Sequence, residues 1–461
     1  LYERNRDTDN VTNKMVFKGN IDYLTENEIG IRLRATQQNP SVLPAESLYA
    51  IEHDTMDTTF RSMYQGLYIY LSARKERRDL LLSQRPPRFD ESLDSMISRS
   101  EDDFTRIALK AKAAQDYFLL IGPPGTGKTS CALKKMVETF HADKDAQILL
   151  LSYTNRAVDE ICKSLASIAP AVDFIRVGSE LSCDEAYRGH LIENELSSCN
   201  RRSEVYERIR NCRIIVGTVA AISGKPELFR LKHFDVAIID EATQILEPQL
   251  LGILCARGED GKDAIDKFVL IGDHKQLPAV VQQNTEQSAI YDESLLSIGL
   301  TNLKDSLFER LYRNCTATVH RSYDMLCRQG RMHPEVALFA NRAFYGGRLI
   351  PVGLPHQIES SDTICRLAFY PSVPEKVGAS AKINYSEARI VADLAVRIYE
   401  DHQTDFDESR TLGIITPYRS QIALIKKEIE SLGIPALNRI LVDTVERFQG
   451  SERDVIIYSF C

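Results

Sequence analysis

Residues 122–129 read Gly122-Pro123-Pro124-Gly125-Thr126-Gly127-Lys128-Thr129, and this octapeptide decides the fold. Upstream, Tyr117-Phe118-Leu119-Leu120-Ile121 is a short apolar run, which predicts a buried strand. Downstream, Leu133, Met136, Val137 and Phe140 fall on one face of a helix predicted over 130–140. A strand, a glycine-rich turn and a helix start gather backbone N–H groups at the positive end of a helix dipole, which favours an anion. The two glycines flanking four residues, followed by Lys and Thr, fit the phosphate-loop pattern. Gly125 and Gly127 let the backbone approach a phosphate without a side chain in the way. The whole run from Gly122 to Thr129 is therefore a candidate nucleotide-binding loop. Within it Lys128 meets the β- and γ-phosphates of ATP, and Thr129 ligates Mg²⁺.

Such a loop needs a carboxylate at the end of a neighbouring strand. The run Phe234–Ile239 supplies the strand, and Asp240 and Glu241 follow it. Asp240 is the second candidate metal ligand, and Glu241 the base that orients and deprotonates water. A third apolar run, Phe268–Ile271, leads into Gly272-Asp273-His274-Lys275-Gln276, where Gln276 is the candidate to sense the γ-phosphate or hold the water.

From Phe104 to about Thr316 such strand-like runs alternate with helical patterns, including Ile148–Ser152, Phe174–Val177 and Ile214–Gly217. Short runs of this kind suit parallel strands buried on both faces. Val158, Ile161, Leu165 and Ile168 line one side of a helix after Asn155; residues 180–211 read as a charged helical insertion. A second α/β unit begins near Ser322, with a helix over 419–432 stopped by Gly433. Residues 1–90 differ in texture. Short strands are expected over Lys14–Lys18 and Glu28–Arg34, helix over 57–84, and a polar linker from Asp90 to Asp103. The basic stretch Arg74, Lys75, Arg77, Arg78 is a solvated helix face or a nucleic-acid contact.

The chain has 461 residues, 43% of them hydrophobic, enough for two or three cores. No run approaches bilayer length, so a soluble chain with no membrane partner is expected. A net charge of −8 argues against a wholly basic coat protein but leaves room for a local basic channel. Ten cysteines without a C-x-x-C pair fit free thiols in an intracellular compartment, cytoplasmic or nuclear.

The ordered series GPPGTGKT, SYTNRAVDEI (152–161), VGTVAAI (216–222), DEATQ (240–244), GDHKQLP (272–278), RQGRMHPE (328–335), ITPYRSQ (415–421) and TVERFQGSERDVII (444–457) resembles the superfamily 1B helicases. That branch includes the nonsense-mediated-decay RNA helicase and the flap-processing nuclease-helicase. The resemblance spans about residues 104–461. It implies an α/β fold of two RecA-like P-loop domains with parallel sheets, at 96–321 and 322–461. A small β-barrel and helical stalk (1–95) precede them. It further implies a monomeric ATP-dependent helicase or translocase moving 5′-to-3′ on single-stranded DNA or RNA. A nucleotide-switched binding platform without unwinding is the alternative; a P-loop kinase would leave the series at 152–161, 216–222 and 415–421 unexplained.

By the same resemblance Arg331 reaches the γ-phosphate from the second domain, and Gln449, Gly450 and Glu452 face the nucleotide. Thr154, Asn155, Thr218, Pro417, Tyr418 and Gln421 line the single-strand path; helix capping is an alternative or added role for the Thr and Asn positions. Gly330 stands where the family has a Tyr that stacks on adenine. The glutamine that reads adenine upstream of the phosphate loop is not evident, and Phe104 lies near its place, so strict adenine selectivity does not follow. The family's last motif carries a second arginine finger beyond the QGSERDVII strand, and a chain ending at Cys461 is expected to bind nucleotide and hydrolyse it poorly.

Overall fold

The structure, a computed structural model, describes residues 1–10, 13–33, 42–52, 58–281, 283–318, 320–358, 366–372 and 382–461. Two compact units divide the chain, Leu1–Tyr64 and Gln65–Cys461. Arg34 and Asp57, at the edges of two expected elements, lie outside the described residues.

In the first unit, β1 (Tyr2–Glu3) pairs antiparallel with β4 (Tyr49–Ala50), and β2 (Gly19–Leu24) with β3 (Ile29–Leu33). Lys14–Lys18 contributes a single bridge, Val16 to Tyr2, and the strand expected there begins at Gly19 instead. The described residues of this unit thus form two separate two-stranded sheets.

The second unit is built on a seven-stranded sheet. Its strands are β5 (Tyr117–Ile121), β6 (Ile148–Ser152), β7 (Phe174–Val177), β8 (Ile214–Thr218), β9 (Phe234–Ile239), β10 (Ile265–Gly272) and β11 (Tyr323–Met325), in the order β11-β5-β10-β9-β6-β8-β7. Every pairing is parallel. Alternation of side chains splits these apolar runs between two cores. Leu119, Ile121, Leu149 and Leu151 pack on one face, and Phe118, Leu120, Ile148 and Leu150 on the other. Covering both faces is what lets strands be apolar throughout. On the second face sit the helix Asn155–Ala166, through Val158, Ile161 and Leu165, and the helix Lys134–His141, through Met136, Val137 and Phe140. The helix expected over 130–140 opens as a wider π-type turn at Lys128–Leu133.

β11 starts the second α/β unit in the sequence pattern, yet it pairs with β5 and completes the first sheet. The next strands, β12 (Arg328–Gln329) and β13 (Ile350–Pro351), form a parallel pair. A three-stranded parallel sheet follows, ordered β15-β14-β16, from β14 (Leu412–Ile415), β15 (Leu441–Asp443) and β16 (Val455–Tyr458). Helices Tyr385–Asp401 and Arg419–Ser431 bury Val391, Ala395, Ile425 and Ile429 in its core.

Two expectations change. Asp90–Asp103 is not a bare linker: Asp90 caps a helical turn at Glu91–Leu93, and helix Asp94–Arg99 buries Ile97. The basic stretch is a solvated face only in part: Lys75 is exposed, whereas Arg77 is buried. Arg74 pairs with Asp263 at 2.6 Å, and buried Arg77 donates to the carbonyls of Ile265 and Asp266, clamping the helix Lys75–Leu81 to the start of β10. Helix covers Thr58–Ser72 as well, close to the range the sequence predicts.

Candidate functional site

Parallel strands deliver their following loops to one edge of the sheet, and here β5, β10 and β9 are neighbours. Gly122, just past β5, donates to the carbonyl of Gly272 at the end of β10 at 2.9 Å. Beyond it the loop turns tightly: the Thr126 hydroxyl donates to the Pro123 carbonyl at 2.7 Å, with Pro124 between them. Gly125 and Gly127 take φ values of 73° and 75°, a left-handed conformation that side chains resist.

Lys128, at the first position of the π-type turn, extends its ammonium to Glu241 Oε1 at 3.2 Å. Thr129 beside it donates its hydroxyl to Asp240 Oδ2 at 2.5 Å. Asp240 is 1% exposed and continues β9, its N–H donating to Leu151 O at 2.8 Å. Glu241 sits at φ 52°, an uncommon conformation for a residue with a side chain, and Gln244 Nε2 holds its second carboxylate oxygen at 3.0 Å. Such local strain is tolerated where the surroundings over-determine it.

Burial and the adjacent Glu241 carboxylate push the Asp240 carboxyl well above its ordinary value. Burial also disfavours the Lys128 ammonium, but Glu241 and Asp240 outweigh it and hold the lysine above its usual value. Two acids crowd one base, a balance that a divalent cation would relieve. The residues fit that ion. A hydroxyl and a carboxylate oxygen 2.5 Å apart are hard oxygen donors of the kind Mg²⁺ takes, beside a loop of backbone N–H groups suited to phosphate.

Arg331 enters the same edge. Gly330 N–H donates to Gly125 O at 2.8 Å, and a Cβ on Gly125 would lie 2.4 Å from the Arg331 Cβ. The Gln329 side chain accepts from the N–H groups of Arg331 and Met332 at 3.0 and 2.8 Å, fixing the turn. Outward, Arg331 Nε donates to Glu452 Oε2 at 2.9 Å. This contact joins two candidate residues from distant parts of the chain. Gln449, half-buried, and Gly450, exposed with φ 76°, precede Glu452 after the turn Val445–Phe448. Gln276 is half-buried, its amide donating to Asp273 Oδ2 at 2.7 Å.

The remaining candidates separate into two groups. Ser152 and Thr218 are register partners on β6 and β8, so Thr154 and Thr218 stand at the ends of adjacent strands. Each caps a helix, accepting from Ala157 and Ala221 N–H at 3.1 Å, and Asn155 beside Thr154 is exposed. On the smaller sheet, Pro417 is exposed and Tyr418 half-buried at the start of helix Arg419–Ser431, with Lys382 Nζ 5.9 Å from the Tyr418 ring centre. Gln421 departs from the sequence reading. It is fully buried, with its side chain accepting from Asn384 N–H at 2.9 Å and donating to Asn384 O at 3.1 Å. So engaged, the amide ties the cap residue of helix Tyr385–Asp401 to helix Arg419–Ser431.

Four residues of the site escaped the sequence reading. Gln244 and Asp273 lie inside quoted motifs, and a carboxylate ending an apolar run was a usable signal for Asp273. Tyr345 and Gln357 carry no local signal. Tyr345 donates to Asp273 at 2.7 Å, and Gln357 donates to the carbonyls of Gln329 and Met332 at 3.0 Å.

Two family models, each described as an AAA domain, match residues 99–284 in overlapping segments and residues 303–461. The human "DNA replication ATP-dependent helicase/nuclease DNA2" is 28% identical over 479 residues, covering 92% of this chain and 41% of that protein. These matches, together with the motif series, support a superfamily 1B helicase. Another relative, the Arabidopsis thaliana "DNA replication ATP-dependent helicase/nuclease JHS1", is 28% identical over 98% of the chain and 34% of its own length. The Saccharomyces cerevisiae "DNA polymerase alpha-associated DNA helicase A" is 23% identical over 89% of the chain and 67% of its own length. The chain thus spans well under half of the first two relatives. Among solved structures, "Complex structure of Arterivirus nonstructural protein 10 (helicase) with DNA" aligns with 74% of this chain and 63% of its own at 14% identity, with a TM-score of 0.34, too loose to carry an argument. Among the described residues no helix is long and apolar enough to cross a membrane.

Proposed function

We propose that this chain is the motor region of an ATP-dependent helicase that travels 5′-to-3′ on single-stranded nucleic acid, DNA being favoured by the names of its relatives. In this reading residues 1–95 are the barrel and stalk, and 96–321 and 322–461 the two RecA-like lobes, with β11 belonging to the first sheet. The observation that carries the reading is the convergence of Lys128, Thr129, Asp240, Glu241 and the Arg331 turn at one edge of the seven-stranded sheet.

The chemistry follows from what these groups must exchange. Lys128 turns from Glu241 to the phosphates, where its charge opposes that of the β- and γ-phosphates. Glu241, released from that pair, accepts a proton from the attacking water. Thr129 and Asp240 would hold Mg²⁺, which when bound neutralises charge on the phosphates. Arg331 exchanges the Glu452 carboxylate for the γ-phosphate, so the grip of the second lobe on Arg331 changes with each turnover. Thr154, Asn155 and Thr218 on one sheet, and Pro417 and Tyr418 on the other, are placed to hold the strand alternately.

The test is nucleotide hydrolysis by the protein at fixed salt with single-stranded DNA, single-stranded RNA and duplex as competing stimulants. Single-stranded DNA is expected to stimulate turnover and strand displacement. Failure to bind ATP overturns the reading. ATP-dependent DNA binding without displacement replaces the motor with the switched platform.

A further inference from the structure

Asp273 ends its strand one residue beyond Gly272, the neighbour of the phosphate loop. Its side chain is buried, and one oxygen carries two bonds: Oδ2 accepts from Gln276 Nε2 and from the Tyr345 hydroxyl, each at 2.7 Å. The other oxygen accepts from Lys275 N–H at 3.0 Å. Tyr345 is the last residue of helix Pro334–Tyr345, which begins three residues after Arg331. One buried phenol therefore joins the helix that continues from the arginine turn to the loop that carries Gln276. The Tyr345 ring lies in the core beneath the sheet, where phenylalanine would fill the same space. The hydroxyl is the part that reaches the site.

We propose that Tyr345 is a positioning residue for hydrolysis, acting through Asp273 to fix the Gln276 amide and to keep it in step with the Arg331 turn. Asp273 draws the amide nitrogen of Gln276 toward itself, which leaves the carbonyl oxygen to face the site as an acceptor. An acceptor there suits a water proton better than a phosphate oxygen. Nucleotide binding rests on Lys128 and the backbone of 122–129, and among the described residues the Tyr345 hydroxyl bonds Asp273 instead. Loss of the hydroxyl therefore lowers the rate of hydrolysis and leaves ATP affinity alone. The inference rests on the ATPase reading above.

The experiment compares Tyr345→Phe, Asp273→Asn and the double variant in the full protein, with Lys128→Ala in parallel. Steady-state ATP hydrolysis is measured at saturating single-stranded DNA, and thermal unfolding is recorded for each variant. Tyr345→Phe is expected to lower kcat by about tenfold, in the range typical of residues that orient a functional group. KM for ATP stays within about twofold, the signature of an interaction used in the transition state. In the Asp273→Asn background the same change is expected to cost nothing more. Unchanged kcat, a cost independent of Asp273, or a loss that tracks lowered Tm and raised KM would each overturn the proposal. Lys128→Ala separates the two claims. If it keeps turnover, the reading of the site is wrong; if it abolishes turnover while Tyr345→Phe behaves as wild type, only the role of Tyr345 fails.

Discussion

The two ends of the seven-stranded sheet use charge in opposite ways. At the N-terminal ends, Arg85 and Arg88 both bond the Asp116 carboxylate at 2.9 Å, and Arg74 and Arg77 share Asp263. Burial opposes the Asp116 carboxylate, yet the two guanidinium groups hold its pKa far below the usual range. At the C-terminal ends the signs do not balance. Asp240, Glu241 and Asp273 all act on Lys128, and Asp240 is pushed up by burial and by its acidic neighbour. One end pairs each acid with two arginines and the other crowds acids around one lysine, an arrangement suited to a ligand that carries a cation.

The comparison can be broken at several points. Its largest test is Lys128→Ala, which should cut ATP turnover by about 10³-fold or more while the melting temperature holds, because that lysine serves the ligand rather than the fold. Retained turnover would sink the assignment of the C-terminal end. Arg331→Ala should cost roughly 10³-fold in hydrolysis, read by single-turnover kinetics, with ATP binding kept. A loss confined to binding would place Arg331 in the loop's architecture instead. Glu241→Gln should preserve ATP binding and stop hydrolysis, and weakened binding would show that its bond to Lys128 is structural.

Asp116→Asn sharpens the other side. It should leave hydrolysis near wild type and lower stability by about 2 kcal/mol at neutral pH, as for lost hydrogen bonds to charged groups. The sign of its pH dependence follows from the depressed pKa. The stabilisation is present above about pH 4, the unfolded value, and fades as pH falls toward the folded one. Denaturant titrations of both proteins should therefore converge in acid. The smallest effect belongs to Thr154→Ala, worth about 1 kcal/mol of helix stability from the lost cap. A simultaneous drop in single-strand affinity would assign the threonine both roles.

Several features were legible in residue order alone. The phosphate loop, the strand before it and the acids after Phe234–Ile239 follow from local pattern, since apolar runs are buried and left-handed turns favour glycine. The alternating strands and helices likewise announce a parallel sheet. Where chain segments meet was decided only in three dimensions. β11 joined the first sheet because β5 offered a free edge to pair with, which no local pattern encodes. Gln421 is buried where its side-chain amide serves both backbone groups of Asn384, 37 positions away. The bonds from Tyr345 to Asp273 and from Arg331 to Glu452 link residues 72 and 121 positions apart, and side-chain hydrogen bonds at such separations leave no period in a sequence.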